Sequence, residues 1–499
     1  MAAIITEKFR QHNADQFYES FSEASATTYY LMIGKSTPFT TGTSGGSDDS
    51  PPTPADNESE EYYTWDSAIA SKKIASSNVT YAIPRRDWAN STTYDMYEHD
   101  ISSSNTTTSG ATNLYDSTFF FRTSDNRVYI VLDNNSGSAY AGAEPESEST
   151  SSFVLGGYTL KYMYTITASE QASFLTTDFM PVSTDSTVAA AATDGAIESI
   201  RITNQGSGLT AATGTYYAAV YGDGSNAGTS SGAIVKFKVG DDDKIEYVTS
   251  GTSGVQSGGS GYTYGTVNLG TGYTYSDATL STQVDIGGTG AAIEVIIGPK
   301  GGHGSDAVKE LGGHYVMLQT SLEGADNDDF LTGNDFRNIS LVADPTTYGT
   351  STVGTATTYR NVFAMKFSGS PGTFQVDEKI SQATTGAIGK VVEWDSTLKI
   401  LYYQQERHAD YGTSSTTGQR VAFSAAYTVT GATSGATGTP DASADSAVTL
   451  SGGNTITFTD GHANPELQPD SGNILYREAR KPISRATDQT EDIKIIVEF

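Results

Sequence analysis

The chain of 499 residues contains no cysteine. Disulfides, thiolate zinc sites, iron–sulfur clusters and cysteine nucleophiles are excluded together. Positive charge is also scarce: 29 Lys and Arg stand against 58 Asp and Glu, a formal charge of -29. A nucleic-acid binder needs basic residues in excess to neutralise phosphates, and an anionic membrane surface makes the same demand, so the expectation is no nucleic acid and no membrane. Charged residues of both signs reach only 17% of the chain, and 52 Gly with 14 Pro fall short of the content that marks low-complexity disorder. No apolar run of about 18 residues occurs, so no helix is expected to span a membrane. The opening MAAIITEKFR meets charge before any long apolar stretch, and no export signal is expected.

What is present is aromatic and small: 30 Tyr and 19 Phe, with abundant Thr, Val and Gly. Branched and aromatic side chains suit a half-buried pleated surface, and glycine supplies positive φ in turns. The expected class is mainly β with a minor α+β component and few short helices. At about 150 residues per domain, the length suggests roughly three domains. A short helix is expected around Ala14, Phe17 and Phe21, which share one face, followed by a strand over 27–33. Residues 40–60, rich in Ser, Gly, Pro, Asp and Glu, read as an exposed loop. The spacing of Trp65, Ala68, Ile69 and Lys72 predicts a second helix over 65–76, and strands follow over 118–122, 127–132 and 158–166.

Between about 195 and 300 the chain repeats itself. AIESIRITNQGSGLT (196–210) is echoed by KIEYVTSGTSGVQSGGSGYT (244–263), and SGAIVKFKV (231–239) by TGAAIEVII (289–297). The offset grows from 48 at Ile197 and Ile245 to 53 at Gly206 and Gly259 and 58 at Gly232 and Gly290, as loop insertions would produce. Each copy predicts a strand, a Gly-Ser-Gly turn, a strand and a Gly-Ala strand. Repeat arrays usually need about three units, and two copies cannot close a propeller, so one duplicated sandwich or barrel is expected. A second β-rich block, 360–460, carries TTGAIG (384–389) and TSGATG (433–438) at an offset of 49. The closing run 493–499 is a strand expected to pair into the sheet of the N-terminal segment.

Few residues carry recognisable chemistry. His12, His99, His303, His314, His408 and His462 form neither an i, i+4 pair nor an HExxH motif, and no nucleophile elbow or Walker A sequence is present. The Gly-Ser-Gly segments lead into β-like sequence, so they do not cradle phosphate at a helix N-terminus. Acidic clusters at 241–243 and 326–329 invite a calcium reading but lack EF-hand spacing, and solvated loops are preferred. Paired carboxylates for glycoside hydrolysis meet in space rather than in sequence, and 58 acids leave that open. The expectation is no catalytic residue, no cofactor and no metal. The densest feature is Ile83, Pro84, Arg85, Arg86, Asp87 and Trp88, in an otherwise Arg-poor chain. It reads either as a partner-docking corner, since Trp and Arg dominate interface hot spots, or as an internal corner where Asp87 pairs with an Arg and Trp88 packs in the core.

Four segments carry a collinear resemblance. TEKFRQHNADQFYESF with YYLMIGKSTPF, IPRRDW at 83–88, NDFRNISLVADP at 334–345 and SGNILYREARKPISRATDQTEDIKIIVEF at 471–499 resemble the baseplate wedge subunit of T-even-like contractile-tailed phages, the product of gene eight. GGYTLKYMYTI at 156–166 resembles a strand of that family. The repeat-bearing blocks have no counterpart in the T-even form and look like inserted β-modules of marine phage relatives. The resemblance implies this division: 1–190 as the N-terminal part of a discontinuous core, 191–310 as an inserted duplicated β-module, 311–345 as a core segment, 346–465 as a second inserted β-module, and 466–499 as the C-terminal strand region. It also implies a non-enzymatic structural protein of the virion tail baseplate, assembled in the host cytoplasm, that forms a homodimer and binds other baseplate wedge proteins. The alternative is a host-surface or carbohydrate-binding tail protein making glycan contact through the inserts; a tail-associated polysaccharide hydrolase ranks below both.

Overall fold

The computed structural model describes residues 4–40, 45–249, 253–407, 420–443 and 447–499, and within them the protein is mainly β, with antiparallel sheets and few short helices. The chain folds as two compact units. One comprises Met1–Gln16, Thr80–Met317 and Ile496–Phe499, the other Phe17–Val79 and Leu318–Ile495.

In the first unit, a sheet runs in the spatial order Phe120–Arg122, Arg127–Asp133, Tyr158–Thr165, Phe153–Leu155. Its two long strands are buried almost throughout. The period of two explains this: Val128, Ile130 and Leu132 enter one apolar cluster with Ile83, Phe119 and Phe120, while Tyr129 and Val131 enter another with Phe121, Tyr140, Tyr158 and Leu160. Both faces are covered, so Arg127–Asp133 reads as a nearly continuous apolar run, whereas Tyr158–Thr165 also buries Thr159 and Lys161, the latter paired with Glu198 at 2.7 Å.

The repeat forms a single module with one core, to which Ile197, Ile200, Val220, Val235, Phe237, Ile245, Tyr262, Ile293 and Val295 all contribute. The two copies are interlocked. The first strand of copy one, Ile197–Leu209, pairs with the last strand of copy two, Gly287–Ile297. Conversely, the last strand of copy one, Ile234–Val239, pairs with Ile245–Glu246 and Val255–Ser257 from the start of copy two. Single hydrogen bonds repeat the exchange: Leu209 N–H donates to Asp243 O at 3.2 Å, and Tyr262 N–H donates to Gly195 O at 3.0 Å. Leu209 and Tyr262 are equivalent, as are Gly195 and Asp243, and the latter two share positive φ, at 62° and 57°. The Gly-Ser-Gly turn expected after the first strand is a correction. Gly206, Ser207 and Gly208 lie inside Ile197–Leu209, because the Gly287–Ile297 strand stays paired with them as far as Leu209.

In the second unit, one sheet has the order Thr358–Arg360, Ala68–Lys73, Tyr29–Gly34, Phe336–Ala343, Asn473–Ile483, and its third strand is buried at every residue. The helix expected over 65–76 is also corrected. A helix spans Glu58–Asp66, opened by Asn57, whose side chain accepts the Glu60 N–H, with Glu58, Glu60 and Glu61 suited to the positive end of its dipole. The chain then enters the strand Ala68–Lys73, where pairing on both sides overrides the helix preference of Ala and Lys. The N-terminal helix is Glu7–Glu19; Phe17 meets Tyr29 edge-on and Phe21 stacks on it.

A seven-stranded sheet contains the TTGAIG and TSGATG segments, and each is the same turn. Gly386 N–H donates to Gln382 O and, 49 residues on, Gly435 N–H donates to Gly431 O; the Thr385 and Ser434 hydroxyls accept from Ala387 and Ala436 N–H. The terminal strand, Thr490–Glu498, neighbours Tyr315–Glu323 rather than the strand of the first forty residues. Tyr29–Gly34 already has partners on both edges.

The interlock predicts a contrast between two glycines of positive φ. A Cβ at Gly195 would stand 2.3 Å from Tyr262 N, whereas one at Gly208 meets nothing within 4 Å. Gly208→Ala is expected to cost only the backbone strain of about 1–2 kcal/mol, and Gly195→Ala at least twice that, because it also forces the copies apart. Calorimetric unfolding of the two variants checks this; equal losses would refute the interlock as a stabilising contact.

Candidate functional site

The segment 83–88 leaves the strand Val79–Pro84, which pairs with Phe179–Val182. Ile83 is fully buried in the apolar cluster of the four-stranded sheet. Pro84, at the last paired position opposite Phe179, ends the strand. Arg85 turns back along the other strand: its N–H donates to Asp178 O, and its guanidinium donates to Thr176 O at 2.7 Å.

Asp87 is the centre of the corner. Its carboxylate accepts from Arg85 Nε and Nη2 at 2.9 and 2.7 Å and from Arg122 Nε at 2.8 Å. The backbone adds to this: Arg122 N–H donates to Arg86 O at 2.7 Å and Trp88 N–H to Arg122 O at 2.8 Å, a short parallel bridge to the edge of the sheet. Burial pushes the Asp87 pKa up, but the bonds from Arg85 and Arg122 outweigh it and hold the carboxyl below its usual range. Arg86 points inward, its guanidinium 4.3 Å from the centre of the Phe120 ring and donating to Tyr115 O at 2.8 Å. Burial pulls its pKa down to about 10. Trp88 is half-buried and meets Tyr140 edge-on at 6.0 Å. The Arg86 Nη1 and Trp88 indole N–H groups have no acceptor among the described residues.

Arg122 was not singled out by the sequence, although it completes the corner. It stands 35 positions from Asp87, and only the fold brings the two together. Chemically, the corner is a charge-assisted clamp joining one strand end to a neighbouring sheet edge, with Asp87 exposed at its rim.

The other expected groups lie apart. His303 Nδ1 is 2.6 Å from Glu310 and its ring meets Tyr97 edge-on, whereas His314 lies 3.3 Å from Glu7. Burial lowers the His314 pKa against the pull of Glu7. His408 lies outside the described residues. In the 326–329 cluster, Asp326 pairs with Lys72, Asp328 accepts the Gly452 N–H, and Asp329 accepts from Thr358 and Asn454, with burial raising its pKa to about 7. In the 241–243 cluster, Asp241 accepts the Thr213 hydroxyl and Asp242 pairs with Lys244. Among the described residues, no group of three or more His, Asp or Glu is placed to hold a metal ion.

The N-terminal helix, the Tyr29–Gly34 strand and the 83–88 corner fall in one stretch that a family model recognises. Residues 3–133 match the family described as Bacteriophage T4, Gp8. The match covers 131 of the 499 residues, and over that span the chain is similar to the Gp8 family. The segments 156–166, 334–345 and 471–499, which also carry the resemblance, lie beyond the matched residues. No curated protein sequence matches the chain.

Within the Gp8-like region, Asp87→Ala is expected to destabilise the protein by about 1–2 kcal/mol, since it leaves the Arg122 guanidinium without its carboxylate; the exposure of Asp87 keeps the loss below that of a buried pair. The stabilisation is present above the unfolded Asp pKa of about 3.9 and is lost as pH falls through the lower folded value. Denaturant unfolding at pH 7 and pH 3 checks both. The wild-type advantage should shrink at the lower pH, and an unchanged gap would refute the clamp.

Proposed function

We propose that this protein is a non-enzymatic structural subunit of a contractile-tail baseplate wedge, which dimerises and binds neighbouring wedge subunits as the baseplate assembles in the host cytoplasm. The observation that carries this reading is the Gp8 family match over residues 3–133. The 83–88 clamp acts as a structural corner that holds that region in shape, with Arg85 and Asp87 at its accessible rim. The docking surface is the N-terminal end of the chain: Ile4, Ile5 and Phe9 are 85, 65 and 54% exposed, unusual for three large apolar side chains in one short stretch. The blocks 191–310 and 346–465 are additions to the family core, carried on the outside of the assembly.

Light scattering of the purified chain should return twice its mass of 52.7 kDa, and it should co-purify with adjacent wedge subunits. Ile5→Asp combined with Phe9→Asp should abolish one of these associations while the circular dichroism spectrum stays unchanged. A monomer at tens of micromolar that binds no wedge subunit would sink the proposal.

A further inference from the structure

In the second unit, residues 332–333, 373–374, 376, 393–394, 396 and 486–487 border an open cleft of about 730 Å³. One wall is aromatic and held in place. Trp394 meets Phe374 edge-on at 5.4 Å, and Phe367 backs both rings at 5.9 and 5.3 Å. Phe367 and Phe374 are buried, whereas Trp394 keeps part of its surface open, and its indole N–H has no acceptor among the described residues. Trp394 lies on the strand Ala387–Asp395, whose pairing ladder is interrupted between Val391 and Glu393, the kind of irregularity that re-aims side chains beside sites.

The polar side of the cleft has one sign. The Glu393 carboxylate accepts the Gly333 N–H at 3.1 Å, and burial raises its pKa against that bond. Thr332, Thr373, Ser396 and Thr487 add hydroxyl groups to the lining, and among the described residues no Lys, Arg or His contributes to it. An anionic ligand would meet Glu393 with no cation to balance it. A wholly apolar ligand would cover the carboxylate without offering it a donor, which is costly. The lining fits an uncharged molecule with one apolar face and many O–H donors around its edge, and a pyranose ring has that form: C–H groups on its face, hydroxyls at its rim.

We propose that this cleft binds a neutral saccharide, with a sugar ring packed on Trp394 and its hydroxyls donating to Glu393. The site is independent of the assembly role argued above and stands or falls apart from it.

The full-length chain, titrated with maltotriose, cellotriose, chitotriose and mannotriose and followed by tryptophan fluorescence and calorimetry, should give saturable binding to at least one. Glu393→Gln and Trp394→Ala should each weaken that binding at least tenfold, and Thr373→Ala should weaken it less. The circular dichroism of Glu393→Gln should match that of the parent, and sialyllactose should not bind. Failure to bind any of the four neutral sugars, or binding that survives both substitutions, would overturn the proposal. So would a cleft in which Trp394 responds to a neighbouring wedge subunit and to none of the sugars.

Discussion

Long irregular segments in this protein are tied down by carboxylates that each accept several hydrogen bonds at once. Asp95, fully buried, accepts from the N–H and hydroxyl of both Ser109 and Thr118, and so closes the loop between them. Glu378 does the same for Gln375, Thr433 and Ser434, Asp223 for Thr263 and Tyr264, and Asp277 for Thr279, Ser281 and Thr282. The Thr263 and Thr279 hydroxyls contribute most to holding Asp223 and Asp277 below the usual carboxylate range, while at Asp95 and Glu378 the bonds outweigh burial. A charged acceptor makes bonds roughly twice as strong as a neutral one, which lets a few side chains organise backbone that no helix or sheet satisfies. An excess of acid over base is therefore compatible with an ordered chain whose loops are rich in Ser and Thr.

Tyrosine supplies the complementary device. In the four-stranded sheet, the rings of Tyr129, Tyr140 and Tyr158 fill the core, while their hydroxyls donate to Ser147 O, Ala143 O and Ser138 O in the adjoining loop. One residue type thus packs the interior and fastens the chain that runs over it.

How far this was legible in the sequence depended on the range of the interaction. The strand Tyr158–Thr165 and the duplicated block could be read because period and repetition are local. The strand Ala68–Lys73 could not, since its residue types favour a helix and only its neighbours in the sheet decide otherwise. The helix start at Asn57 was missed, because the Ser, Gly, Pro, Asp and Glu of 40–60 read as loop. At the 83–88 corner the cluster was visible, whereas the partner that gives Asp87 its meaning was not. The cleft beside Trp394 was beyond reach altogether, because its lining comes from four separate stretches, each unremarkable alone.

The interlocked module has one further property. Ile197 pairs with Ile297, so the path through both copies departs and returns at neighbouring points of one two-stranded ladder. A block with adjoining ends asks almost nothing of the chain that carries it, since the gap it must bridge is the width of a strand pair and the loop-closure entropy is met inside the block. Loss of either copy would leave the other without the strands that complete its sheets. The two copies therefore act as one unit whose ends adjoin, and neither completes its sheets alone.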